Sequence, residues 1–145
     1  MAGIGLRALI ALRRLRHAET DAARRDLGTA VARQTALTAR DEAITREFDR
    51  SREASDDFDR ETYSAWLRRM RNERSRLADA MLAAASRTAE ARTCLARCRV
   101  AETSADDALA RAVMEREAAA ARREQVMLED AARAIRRADH GNGSS

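Results

Sequence analysis

The chain has 145 residues, 36% of them charged and only 3% aromatic, with 28 basic residues against 24 acidic ones and a net charge of +4. It has no proline and five glycines, two of them in the first five residues and two in the last five. So little turn punctuation excludes a β-sandwich or an α/β domain, and so few large apolar side chains exclude a compact globular core. What remains is long helix, and a chain rich in Ala, Arg and Glu with helical periodicity reads as coiled coil.

The first helix begins near Ile4. Leu6, Leu9, Ile10 and Leu12 form one apolar stripe with Leu15 close behind, and four arginines precede the first acid, Glu19. Those arginines follow or interrupt the apolar stretch, whereas a secretory signal carries its positive charge ahead of it. The segment also suits a membrane-surface helix or a mitochondrial presequence. No apolar run approaches the roughly 20 residues of a membrane span. From Leu27 the spacing alternates threes and fours through Ala30, Gln34, Leu37, Asp41, Ile44 and Phe48. This is a heptad seam in which Gln34 and Asp41 lower stability but help to set register.

Composition changes between Ser51 and Ser64, where two arginines meet five acids and Ser55, Asp56, Asp57 and Asp59 favour caps and turns over helix interior. The chain is expected to turn there. In the second helix Leu67, Met70, Arg74, Leu77, Met81, Ala84, Thr88, Ala91, Leu95, Cys98, Glu102, Ala105, Leu109 and Ala112 keep strict three-four spacing. After Ala112 the stripe drifts to Val113, Ala120, Met127, Leu128 and Ile135, as at a stutter. Gly-Asn-Gly-Ser-Ser then stops the helix. The expected fold is all-α, a single antiparallel coiled-coil hairpin over 1–145. Its first helix runs over about 4–54 and its second over about 64–139, with a turn within 51–64 and a disordered tail over 140–145. The termini then meet at one end, setting the basic N-terminal turns beside Glu124, Glu129 and Asp130, and Leu6 to Leu15 beside Met127, Leu128 and Ile135.

No catalytic constellation emerges. The chain has no Gly-rich phosphate loop, no nucleophile elbow and no His/Cys ligand cluster. Asp56, Asp57 and Asp59 lack the Gly and closing Glu of a calcium loop. Cys94 and Cys98 lie four apart on one helix, too constrained to bridge, and neither His17 nor His140 is near them in sequence. They read as unbridged thiols, Cys98 at the seam and Cys94 flanking it, and fit a reducing compartment. No cofactor or metal is expected, and the protein is expected not to be an enzyme. The interleaved charges argue against a nucleic-acid binder, which concentrates basic charge on one face. The four aromatics, Phe48, Phe58, Tyr63 and Trp66, all fall within nineteen residues around the turn. They form either a cap on the hairpin end or an interface hot spot, and the two readings are compatible.

Several segments together resemble the FliJ/YscO family of type III secretion stalk proteins. Leu9-Ile-Ala-Leu-Arg-Arg-Leu-Arg-His-Ala-Glu19 is similar to the family's opening helix of leucines and basic residues. Asp21-Ala-Ala-Arg24 and Leu27-Gly28 resemble a segment of its flagellar members. Tyr63-Ser-Ala-Trp-Leu-Arg-Arg-Met70 stands where the family's second helix opens with an aromatic-rich motif. Glu90-Ala-Arg-Thr-Cys-Leu-Ala-Arg-Cys-Arg-Val-Ala101 is similar to a stretch of the injectisome members, the branch the likeness favours. The resemblance implies a cytoplasmic, monomeric coiled coil at the base of a membrane-embedded secretion apparatus. Such a protein inserts its joined termini into a hexameric secretion ATPase, promotes hydrolysis, touches the export gate and binds export chaperones. By position it assigns Leu6, Leu9, Leu12, Arg13, Arg14 and Arg16 to the ATPase, with Met127, Leu128 and Ile135 opposite them, and Phe48, Tyr63, Trp66 and Met70 to the gate. Glu73 and Leu77 depart from the gate-contact stripe of some members. Set against this are a generic coiled-coil scaffold, which homodimerises or binds membranes through the N-terminal stripe, and a secreted coiled-coil or chaperone protein.

Overall fold

The computed structural model describes residues 5–54 and 59–143. They form two helices, α1 over Leu6–Glu53 (48 residues) and α2 over Arg60–Asn142 (83 residues), with no strand among the described residues. The helices pack antiparallel. Phe48 meets Trp66, Ile44 packs with Met70, and Arg40 bonds Glu73, so each step back along α1 is a step forward along α2. The fold is the expected all-α helical hairpin.

The ends follow from local chemistry. Arg50 and Arg52 occupy the last turn of α1, where cations complement the helix dipole, and the Ser51 hydroxyl donates to Phe48 O at 2.7 Å. Before α2 stands Asp59, a favoured residue for a helix start, whose carbonyl accepts the Tyr63 N–H at 2.9 Å. Glu61 sits in the first turn, the end at which an acid is favourable. The second helix thus opens at Arg60, earlier than the expected 64. It also continues through Gly141 to Asn142, past the expected stop at 139, with His140 Nδ1 3.1 Å from Arg136 O in its last turn.

Packing divides the chain into two compact units, His17–Val100 and Met1–Arg16 with Ala101–Ser145. In the first, the α1 seam buries Thr20, Ala23 and Ile44 and half-buries Leu27, Ala30, Gln34, Leu37, Asp41 and Phe48. The facing α2 seam buries Met70, Leu77, Ala84, Thr88 and Leu95 and half-buries Leu67, Met81, Ala91 and Cys98; Arg74 alone of the expected seam in this unit is exposed. The core centres on Ile44, Met70 and Leu77, with Leu37, Phe48, Trp66 and Met81 packed around them. Burying a Leu- or Ile-sized side chain is worth about 1.5–3 kcal/mol, so this layer dominates the unit's stability. Farther along the seam the buried side chains are mostly Ala and Thr, which contribute less area. Thr88 satisfies its hydroxyl by donating to Ala84 O at 3.0 Å.

In the second unit Leu9 and Ala105 are buried, and Leu6, Ile10, Leu12, Leu109 and Ala112 are half-buried. Arg13 Nε donates to Asp106 Oδ1 at 2.8 Å. This corrects the expectation that the N-terminal turns meet Glu124, Glu129 and Asp130. Asp130 instead pairs with Arg133 one turn away, and Gln125 donates to Glu129. The reason is arithmetic: α2 has 83 residues and α1 has 48, so 35 residues of α2 have no counterpart on α1. Beyond Ala112 nearly every residue of α2 is exposed.

Candidate partner-binding surfaces

The aromatic cluster is built from both helices. Phe48 on α1 meets the Trp66 ring edge-on, with centroids 5.6 Å apart at 66°, and Tyr63 stacks on Trp66 at 5.9 Å and 20°. Tyr63 and Trp66 are three apart on α2, the spacing that sets side chains on one helix face. All three rings stay half-buried. Phe58 lies outside the described residues. Arg74 places its guanidinium 5.7 Å from the Phe48 centroid, a cation–π contact that explains why this seam position turns outward.

Two shallow grooves flank the rings. One, of about 400 Å³, is lined by Glu47, Arg50, Ser51, Tyr63, Trp66 and Arg69. The other, of about 410 Å³, includes Phe48, Asp49, Arg52, Tyr63, Arg71 and Arg74. Each sets ring carbons beside two or more guanidinium groups. Such a surface can hold an apolar side chain on a ring and pair an acidic neighbour with arginine.

Of the four residues assigned to the gate, the structure brings Phe48, Tyr63 and Trp66 together and half-exposes them. Met70 is different: it is only 7% exposed and belongs to the core with Ile44 and Leu77. Leu77 is buried too, so no apolar stripe continues outward from Met70. Glu73 is engaged by Arg40, whose Nε donates at 2.9 Å and whose Nη2 donates to the same carboxylate oxygen. That hydrogen bond and the Glu73 charge raise the Arg40 pKa, and Glu47 adds to it from 3.7 Å. Sequence reading missed this pair, because nothing in a single chain's periodicity says which Arg and Glu face each other across a seam.

The residues assigned to the ATPase divide similarly. Leu9 is 8% exposed and lies in the core of its unit, while Leu6, Leu12 and Arg16 are half-buried. Arg13 and Arg14 are exposed, Arg13 while bonded to Asp106, and the neighbouring Leu15, outside the assigned set, is exposed too. Met127, Leu128 and Ile135 do not cover the N-terminal leucines; all three are exposed, in company with Met114 and Val126. The last two were missed, although Met114, Leu128 and Ile135 stand at multiples of seven, the signal that would have found a second seam. Cys94 is exposed and Cys98 half-buried, both as free thiols.

Compared with known proteins, the chain matches no family model, no curated protein and no solved structure. No helix among the described residues is long and apolar enough to cross a membrane.

Proposed function

We propose that this chain is a non-enzymatic stalk and coupling protein that engages a hexameric secretion ATPase and, through its aromatic surface, the cytosolic part of an export gate and its chaperones. The observation that carries the reading is the half-exposed Phe48–Tyr63–Trp66 surface beside the break in an otherwise polar antiparallel hairpin. Aromatic side chains dominate interface hot spots, and here they are framed by arginines on two nearly continuous helices. The resemblance to the FliJ/YscO stalk proteins supplies the identity of the partners, and with it a cytoplasmic site at the base of the secretion apparatus. A mixed-charge surface of low apolar content also suits a ring lumen, where weak, screened contacts let a shaft move. The ring-bound form on this reading holds one copy of the chain.

The test is ATP hydrolysis by the secretion ATPase of the same organism, with and without stoichiometric protein. A several-fold rise is expected. Because Leu9 belongs to the core, the informative variant is Leu15→Asp with Arg14→Glu, which alters exposed side chains only. Loss of stimulation at unchanged helicity supports the ATPase contact; full stimulation by the variant removes this face from it. A second reading, a coiled-coil scaffold, is favoured by the exposed apolar residues of α2 beyond Ala112. It predicts no effect on hydrolysis from a folded, helical chain.

A further inference from the structure

The stretch of α2 after Ala112 is exposed but not featureless. Met114, Ala118, Ala121, Gln125, Leu128, Ala132 and Ile135 follow spacings of four and three without interruption. Met114, Leu128 and Ile135, at 68%, 65% and 64% exposure, are the large members of this seam. Ala112, the last residue of the hairpin seam, and Met114 are two residues apart, or about 200° around a helix of 3.6 residues per turn. The second seam therefore runs on nearly the opposite helix face from the first. In heptad terms the large residues and Ala121 occupy d, while Ala118, Gln125 and Ala132 occupy a. The adjoining e positions are Glu115, Arg122, Glu129 and Arg136, a strict alternation of sign. All four are exposed, and among the described residues none of them joins an ion pair; Glu129 only accepts a 3.4 Å hydrogen bond from Gln125.

We infer that this face is the site of an antiparallel dimer with a second copy of the chain. In an antiparallel coiled coil a positions pack against d positions of the partner, and e positions face e positions. Setting Gln125 opposite the partner's Leu128 layers Ala118 on its Ile135 and Ala121 on its Ala132. The same register places Glu115 beside the partner's Arg136 and Arg122 beside its Glu129, each pair occurring twice by the two-fold axis. All four pairs are attractive. The residues at g are Glu117 and Glu124 followed by Ala131 and Ala138, and in this register each Glu faces an Ala. A parallel pairing would match e with g instead, joining Glu117 to Arg122 but setting Glu124 against Glu129. The charge pattern thus selects both the occupant and its direction. Close approach at Ala118, Ala121 and Ala132 compensates for small side chains by bringing the backbones near. This interface is independent of the stalk reading and describes the chain away from any ring.

The experiment is sedimentation equilibrium of the full chain at low salt, over micromolar to hundred-micromolar concentration, with circular dichroism as the folding control. The native chain should pass from the 16.1 kDa monomer to twice that mass. Glu115→Arg with Glu129→Arg makes every e position basic, and Arg122→Glu with Arg136→Glu makes every one acidic. Each variant alone should associate at least tenfold more weakly, and an equimolar mixture should recover the dimer. Glu129→Arg alone discriminates direction, because it weakens the antiparallel dimer and would strengthen a parallel one. A native chain that stays monomeric throughout overturns the proposal. So does a dimer indifferent to both charge variants, a dimer strengthened by Glu129→Arg, or one abolished by Trp66→Ala and untouched by Leu128→Asp.

Discussion

Leu77 and Leu128 have the same side chain and lie on the same helix, yet one is buried and the other stands in solvent. The difference is the presence of α1: Leu77 packs with Ile44 and Met70, and α1 has no residue left to cover Leu128. Periodicity therefore specifies which face of a helix is sticky, and only the partner's length decides how much of that face becomes core. Stability should accordingly be concentrated in His17–Val100, and association in the uncovered stretch.

The largest effect that would test this contrast is in the layer around Ile44, which is wholly inaccessible. Ile44→Ala should cost about 2–5 kcal/mol in urea unfolding, as deletions in filled cores do. Leu128→Ala should leave the monomer's stability within about 0.5 kcal/mol, as surface changes do. Equal losses at the two sites would abolish the distinction. Trp66→Ala falls between them: it removes both ring contacts but leaves Ile44, Met70 and Leu77 in place. It should cost about 1–3 kcal/mol, given partial burial and aromatic pairing, and should weaken binding to an export-gate domain while far-ultraviolet circular dichroism stays helical. Unchanged gate affinity would take Trp66 out of that surface.

Smaller effects sharpen the picture. Gly28 lies within α1 with open space where a Cβ would stand. Gly28→Ala should raise stability by about 0.5–1 kcal/mol through helix propensity alone, read as a higher melting temperature. The Arg40–Glu73 pair is exposed, and Glu73→Gln should have the least effect of all. Its loss should shrink toward nothing near 1 M salt, where screening acts over about 3 Å. The sign of the pH dependence is fixed as well. Because folding raises the Arg40 pKa, the arginine's side of this contribution is intact at neutral pH and is lost only in strong alkali, so mild alkali should leave it unchanged.

Much of this molecule was legible in residue spacing. The seam from Leu27 to Phe48 and its counterpart from Leu67 to Ala112 needed only counting, as did the break between Ser51 and Ser64. Continuing the same count backward from Leu27 reaches Ala23, Thr20, Arg16, Arg13, Leu9 and Leu6. That seam is obscured because Arg13, Arg16 and Thr20 are polar, while the apolar Ile10, Leu12 and Leu15 stand beside it. The misplacement of Met127, Leu128 and Ile135 had a different origin. A turn anywhere between Ser51 and Ser64 leaves the second helix too long to be matched by the first. For the aromatic surface, sequence proximity collected Tyr63 and Trp66, but burial of Met70 and the outward swing of Arg74 depend on which side chains fill the layer around Ile44.

The hairpin plan also orders the contacts by the length of chain each must close. Phe48 and Trp66 meet across 18 intervening steps of sequence, Arg40 and Glu73 across 33, and Arg13 and Asp106 across 93. Loop-closure entropy rises with each, but slowly once the shorter loop is shut. Folding can therefore proceed as a zipper that starts beside the break and advances one heptad at a time, with no step requiring a distant search. Unzipping runs the other way. Amide hydrogens around Leu9 and Ala105 should exchange with solvent before those around Ile44 and Met70, and a pulling force applied at Gly5 and Asp106 would peel the helices apart in small increments instead of shearing them all at once.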